Sequence, residues 1–298
     1  MKKVIDFLKS KNIKYLSDEP MKLHTTFRIG GNAPLFVMPQ TIEELALLVR
    51  FLTENDVEFV TVGNGSNLLI SDSGLDCVAV HLGEGFDSVK MVDETTIEAG
   101  AGASLASVCK TALANGLTGL EFAYGIPGSV GGAAFMNAGA YGGEMKDVTE
   151  KCAHVDLTGN IGSYSADELA FGYRTSVYGN GKHIITSVTF KLEKGNEADI
   201  RAKMNELMQR RKDKQPLEYP SAGSIFKRPE GYFAGALIEQ SGLKGKQIGG
   251  AQVSEKHAGF IVNVGAATCN DVKSLIEYCQ EEVKNKFGVS LETEVKML

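Results

Sequence analysis

The chain has 298 residues, of which 43% are hydrophobic and 23% charged, and its net charge is −6. This is the composition of a soluble globular protein, at a length that commonly splits into two or three domains. No run of about 18 apolar residues occurs, which excludes a spanning helix, and the acidic balance argues against nucleic acid as the main partner.

The N-terminal stretch MKKVIDFLKSKNIKYLSDEP begins basic but keeps charges at Asp6, Lys9 and Lys11. It lacks the apolar core and small-residue cleavage site of a signal peptide and predicts an amphipathic helix, so a cytoplasmic location is expected. The five cysteines, Cys77, Cys109, Cys152, Cys269 and Cys279, form no C-x-x-C pair. They read as reduced, mostly buried thiols, and with the five histidines scattered no metal site is expected.

TIEELALLVRFLTEN opens with a capping-box pattern, Thr41 with Glu44, and continues at helical spacing. VEFVTVG, LLIS and LDCVAVHL read as short strands, which gives the first region mixed α and β character. TIEAGAGASLASVCKTALANG predicts a strand, a glycine corner and an amphipathic helix closing at Asn115-Gly116. KCAHVDL and HIITSVTFKLE are strand-like, with a turn at Thr158-Gly159-Asn160. Lys194-Gly195-Asn196 looks like a linker before a strongly charged helix. NDVKSLIEYCQEEVKNKFG is an amphipathic helix with Gly288 as its C-cap. VSLETEVKML alternates like a strand, with Glu292 and Glu294 on the face opposite Leu291 and Val295.

Two glycine-rich loops stand out. GNGSNLL follows an apolar strand, and its glycines let successive N–H groups point to one spot while Asn64, Ser66 and Asn67 add side-chain donors. It is either an anion cradle or a tight Asn-Gly turn. YGIPGSVGGAAFMNAGAYGG crowds small residues behind Ser129, which can cap a short helix. That helix serves either a ligand, including a phosphate at its N-terminus, or close backbone packing. Neither loop completes G-x-G-x-x-G, and no P-loop occurs. A third feature, RRKDKQP at 210–216, is either a solvated helix end or a clamp for an anionic ligand. A fourth, SAGSIFKRP, places two serines among small residues with no histidine near, so a nucleophile lacks its base.

Taken in order, HTTFRIGGNAP, TVGNGSNLLIS, GLEFAYGIPGSVGGAAFMNAGAYG, FGYRTS, SAGSIFKRP, GGAQVSEKHAGFIVN and LETEVKML strongly resemble the UDP-N-acetylenolpyruvoylglucosamine reductase family, from about residue 20 to the end. The short length resembles the family's second type, which lacks a tyrosine-bearing loop. The resemblance implies an α+β protein with an FAD-binding fold of the vanillyl-alcohol-oxidase (PCMH) type in two subdomains plus a C-terminal α+β substrate domain. The expected divisions are 1–82, 83–195 and 196–298.

It also implies the chemistry. NADPH reduces non-covalently bound FAD, flavin N5 then delivers hydride to C3 of the substrate's enolpyruvyl group, and a proton reaches C2. Gly63, Asn64, Gly65, Ser66, Asn67 and Leu68 match the pyrophosphate loop. Gly125, Ile126, Pro127, Gly128, Ser129, Gly131 and Gly132 match a second flavin-contacting segment. Ser224 matches the proton donor, Arg174 the carboxylate partner and Glu294 a second catalytic position. Arg211 and Lys214 match cations that serve the substrate's diphosphate, Tyr124 is expected to line the substrate site, and Arg228, which departs from the commoner asparagine, is expected to contact a phosphate of NADPH or of substrate. Ser221 and Glu292 serve as controls, and His257 reads as structural. The expected partners are the UDP-sugar and NADPH, with no nucleic acid, no membrane insertion and a monomeric state. A flavin oxidase with covalent attachment fits less well, since neither glycine loop holds His or Cys. A non-catalytic sensor would not need Ser224, Arg174 and Glu294 together.

Overall fold

The computed structural model describes all 298 residues. Its internal contacts divide the chain into two compact units. The first comprises Met1–Ser17, Pro34–Asn64 and Cys77–Arg210; the second comprises Asp18–Ala33, Gly65–Asp76 and Arg211–Leu298.

The first unit opens with α1 (Lys2–Lys11), which buries Val4 and Leu8. In α2 (Ile42–Glu54) the Thr41 hydroxyl accepts from the Glu44 N–H at 3.2 Å. The Glu44 carboxylate accepts from the N–H of Gln40 at 2.7 Å, so the predicted cap forms with its return bond shifted by one residue. Strands Asn32–Met38 and Phe59–Val62 both pair in parallel with Val78–His81, which lies between them. Leu35, Phe36, Val37, Val78, Ala79 and Val80 are all buried, as expected of parallel strands covered on both faces.

A five-stranded antiparallel sheet forms the rest of this unit, in the order Ile161–Ser165, Thr149–Asp156, His183–Lys191, Thr96–Gly100, Val89–Met91. The predicted turn between its first two strands has Gly159 at φ 80°. There the Asp156 carboxylate accepts from the N–H groups of Thr158 at 2.8 Å and Asn160 at 2.9 Å, which is the local stitching that favours Asp and Asn at turns. Against this sheet lie α3 (Leu105–Ala114) and the short α4 (Val130–Phe135).

Lys194 is not in a free linker: Glu193–Lys194 pairs with Leu117–Thr118, and the Gly195 N–H donates to the Gly116 carbonyl at 2.8 Å. Asn196 then caps α5 (Glu197–Lys214) by accepting from the Ala198 N–H at 2.8 Å. Residues 195–196 thus mark where the sheet ends and α5 begins. Ile200 and Met204 of α5 join the first core, and the division between units falls later, between Arg210 and Arg211.

The second unit is built on an antiparallel sheet in the order Ser221–Ser224, Phe260–Asn263, Ala251–Val253, Gln247–Ile248. Its helices are α6 (Ala234–Gln240) and α7 (Cys269–Phe287). The predicted α7 stripe, Val272, Leu275, Ile276, Cys279 and Val283, is buried, and Gly288 at φ 70° closes the helix. Each fully buried aliphatic side chain of that stripe contributes about 1.5–3 kcal/mol. Phe27, Ile29 and Leu69 pack into the same core, which is why two short stretches from the N-terminal third belong to this unit. The tail departs from expectation. Instead of one alternating strand, Thr293 makes a single bridge to Phe226, and only Lys296–Met297 is strand, parallel to Leu68–Leu69. Leu291 and Val295 are buried as predicted, but Met297 is 40% exposed because the segment changes partners midway.

Candidate active site

In the first unit the two glycine segments adjoin. A Cβ on Gly63 would stand 2.3 Å from the Ser129 hydroxyl oxygen, and the Asn64 side-chain amide donates to the Pro127 carbonyl at 3.5 Å. Ser129 caps α4 by accepting from the Gly132 N–H at 3.4 Å. The first N–H groups of α4, however, are taken: Val130 donates to Ala103 and Gly131 to Ala101, each at 2.8 Å. A Cβ on Gly131 would come within 2.8 Å of the Ala101 Cβ. The reading of a phosphate at this helix N-terminus is therefore corrected: those donors serve close packing against residues 101–103. The N–H groups of Gly125, Gly128 and Ser129 donate to no backbone carbonyl, and Gly128 and Ser129 are buried. Buried N–H groups rarely stay unpaired, so this segment fits an anionic or carbonyl-rich group such as a flavin dinucleotide.

In the second unit the loop continues with Gly65 at φ 59°, where a Cβ would lie 2.1 Å from the His24 carbonyl oxygen. The Asn67 side chain also serves the fold, its amide donating to the Glu294 carbonyl at 3.0 Å. The Lys296 N–H donates back to the Asn67 carbonyl at 2.9 Å. The tail beyond Glu294 is thereby fastened to the loop that precedes Leu68.

Ser224 ends the strand Ser221–Ser224, whose pairing contains a bulge. Ser221 lies opposite Val262 and Ser224 opposite Phe260, so three steps on one strand match two on the other. Gly223, at φ 75°, supplies the left-handed residue that a bulge of this kind needs. In a straight strand Ser221 and Ser224 would face opposite sides; the extra residue brings them to one side of the sheet. The Ser221 carbonyl accepts from the Thr26 hydroxyl at 2.7 Å. Glu294 joins this strand from the tail, its N–H donating to the Ile225 carbonyl at 2.7 Å. Glu292 is turned to solvent, with its side chain 75% exposed and ion-paired to Lys227 at 2.7 Å. Ser224 and Glu294 thus stand on neighbouring backbone segments, and Glu292 is set apart from them by its exposed ion pair with Lys227.

Arg174 belongs to the first unit and occupies a two-residue turn closed by the Gly172–Thr175 pair. Its φ of 55° is left-handed, which costs a non-glycine residue about 1–2 kcal/mol. The guanidinium donates to the Gly139 carbonyl at 3.3 Å and lies 5.4 Å from the centre of the Tyr173 ring. Glu144 is held below its ordinary carboxylate range, chiefly by its bond to Lys146, with smaller contributions from Asn137 and the charge of Arg174. Two residues here escaped the sequence reading. Tyr141, at φ 55°, has the Arg210 guanidinium 5.0 Å from its ring centre. Asn137 is buried and left-handed at φ 45°. The one available signal was a tyrosine and an asparagine standing in a tract otherwise built of small residues.

The remaining expected residues scatter by unit. Tyr124 lines a groove of about 540 Å³ with Lys110, Arg201 and Met204 in the first unit. In the second, Arg211 and Lys214 sit in the last turn of α5, where cations suit the helix dipole, and the Arg228 guanidinium lies 4.5 Å from the Phe233 ring centre. His257 accepts from the Gly259 N–H at 3.0 Å and packs on Gly235. Burial, the main cause, lowers its pKa, as for a structural ring. No cluster of three potential metal ligands occurs, and no helix is long and apolar enough to cross a membrane.

Comparison with known proteins adds the following. Residues 33–165 match the family model "FAD binding domain", and residues 215–298 match "UDP-N-acetylenolpyruvoylglucosamine reductase, C-terminal domain". The UDP-N-acetylenolpyruvoylglucosamine reductase of Caldanaerobacter subterraneus subsp. tengcongensis is 51% identical over 99% of this chain and 98% of its own. The same enzyme of Alkaliphilus oremlandii is 49% identical over 95% of this chain and 93% of its own. The crystal structure of the reductase from Thermus caldophilus superposes with a TM-score of 0.81 at 36% identity, covering 96% of this chain and 98% of that one.

Proposed function

Because the chain belongs to the UDP-N-acetylenolpyruvoylglucosamine reductase family, we propose that it performs the NADPH-dependent reduction of UDP-N-acetylenolpyruvoylglucosamine to UDP-N-acetylmuramate, as a cytoplasmic monomer. The FAD-binding domain makes it a flavoprotein of peptidoglycan precursor synthesis. When bound, FAD supplies the hydride relay from NADPH to C3 of the enolpyruvyl group.

The chain's own residues then deal with charge and protons. Hydride addition at C3 leaves negative charge at C2 that spreads into the carboxylate. Arg174 binds that carboxylate, since a guanidinium offers a planar, permanently charged pair of donors. Ser224 gives its hydroxyl proton to C2. A serine is a weak acid, but an enolate carbon is a far stronger base, so no histidine is required. Glu294, in its protonated form, adds a second donor beside the developing charge. Gly63–Leu68 and Gly125–Ser129, with Gly131 and Gly132 behind them, hold the cofactor. Arg211, Lys214 and Arg228 neutralise the substrate's diphosphate, and Tyr124 lines the substrate's path.

One observation supports this reading: Ser224 follows the Gly223 bulge, and the Glu294 N–H bonds to the carbonyl of the next residue, Ile225. The test is anaerobic stopped-flow absorbance on the purified protein. NADPH should bleach the flavin, and the enolpyruvyl substrate should restore the oxidised spectrum. Bleaching without re-oxidation by this substrate would show that the acceptor is another compound.

A further inference from the structure

We infer that Asn137 is the positioning residue for Arg174, an inference that rests on the proposed role of Arg174. Asn137 is 1% exposed, yet three of its side-chain bonding positions are used. Its amide nitrogen donates to the Glu144 carboxylate at 3.0 Å and to the Gly172 carbonyl at 3.0 Å. Its amide oxygen accepts from the Lys146 N–H at 2.9 Å. Both N–H bonds of one amide group are therefore committed, each to a different neighbour.

The neighbours explain the purpose. Gly172 opens the turn that carries Arg174, and Glu144 is the anion whose carboxyl feels the Arg174 charge. Ser176, just past the turn, donates from its hydroxyl to the Phe135 carbonyl at 2.6 Å. The turn is thus fastened at both ends to residues 135–146, with Asn137 holding the end before Arg174. Each of the two segments joined here carries a left-handed residue, Asn137 at φ 45° and Arg174 at φ 55°. Asparagine tolerates that backbone; arginine adopts it only where its surroundings over-determine the turn. A carboxylate-binding guanidinium gains from being held in place before substrate arrives.

The experiment uses the flavin-loaded enzyme carrying Asn137→Asp, which keeps the backbone preference and the acceptor but removes both donors. Binding of UDP-N-acetylmuramate, read by calorimetry, should weaken about tenfold, and flavin re-oxidation by the enolpyruvyl substrate should slow by a similar factor. Flavin reduction by NADPH should stay within about twofold of wild type. In an Arg174→Lys background the same change should add less than about twofold, because its effect runs through the arginine. Asn137→Ala repeats the test without a new charge should the aspartate variant fold poorly. Losses that multiply in the double variant, or equal losses in both half-reactions, would overturn the inference. If Arg174→Lys itself binds product like wild type, the fault lies instead with the role given to Arg174.

Discussion

Glu294 donates its backbone N–H to the Ile225 carbonyl at 2.7 Å, which fixes it beside the residue that follows Ser224. Two residues earlier on the same tail, Glu292 ends in solvent against Lys227. Glu294→Gln should therefore lower the rate of product formation by about 10²-fold or more, the range for a positioned proton-handling group. Glu292→Gln should leave it near wild type, since an exposed ion pair contributes about 0–1 kcal/mol. Steady-state kinetics of both variants side by side checks the pair; equal effects would remove the distinction.

Ser224→Ala should abolish protonation while sparing flavin reduction. The expected loss in product formation is about 10²–10⁴-fold, with the NADPH half-reaction near wild type. Ser221→Ala is the companion, because the described contact of Ser221 to Thr26 uses its carbonyl and survives truncation. Rapid-mixing traces of each half-reaction decide the matter, and a Ser224→Ala enzyme that still forms product would reassign the donor.

Two glycines should fail for different reasons. At Gly223 an added Cβ meets nothing within 4 Å, so Gly223→Ala suffers only from its φ of 75°. The expected cost is about 1–2 kcal/mol of stability, together with a misdirected Ser224. At Gly63 the added Cβ would stand 2.3 Å from the Ser129 hydroxyl, so Gly63→Ala forces the glycine segments apart. It should purify with little flavin, whereas Gly223→Ala should keep its flavin and lose turnover. Absorbance at the flavin band per mole of protein separates the two.

Acid should destabilise the fold through His154 and His257. Burial, and then the neighbouring His183, lowers the pKa of His154 below 6.5; burial likewise lowers that of His257 below 6.5. The unfolded chain, whose histidines titrate at the ordinary value, takes up protons that the folded chain refuses. Stability is then complete above the unfolded value and falls as pH drops through it towards the folded values. Urea unfolding at pH 7.5, 6.5 and 5.5 should show a falling midpoint, with a shallower fall in His154→Gln. A midpoint that holds or rises towards pH 5.5 would contradict this assignment.

The helices were legible because their signals are local. Thr41, Ser129 and Gly288 are end-of-helix chemistry written within four residues, and the stripe of α7 is a period that any window reveals. What escaped depends on distant partners. Alternation in VSLETEVKML is real, but its strand stops where the partner changes from Phe226 to Leu68–Leu69. Asn67 gives no local sign that its amide also fastens the tail, more than two hundred residues on. The α4 donors were spoken for by Ala101 and Ala103, which precede them by about thirty residues. Contiguous divisions also hide that Asp18–Ala33 and Gly65–Asp76 join the C-terminal unit, since Phe27, Ile29 and Leu69 show no local sign of which core will take them. Ser224, Arg174 and Glu294 were named only through the family's motif order. Asn137 was not named, because a single amide in a small-residue tract has no pattern until its three partners are seen.

The parallel pairing of Lys296–Met297 with Leu68–Leu69, followed by the Ser71 N–H donating to the Leu298 carbonyl at 2.7 Å, sets a timetable for the ribosome. Chains emerge N-terminus first, at about 5–20 residues per second. The loop that begins at Gly65 must therefore wait, without its partner strand, for about ten seconds or more while the rest is translated. Contacts this remote are also the slow ones to close. The pairing of Leu68 and Leu69 can be completed only after synthesis reaches residue 298.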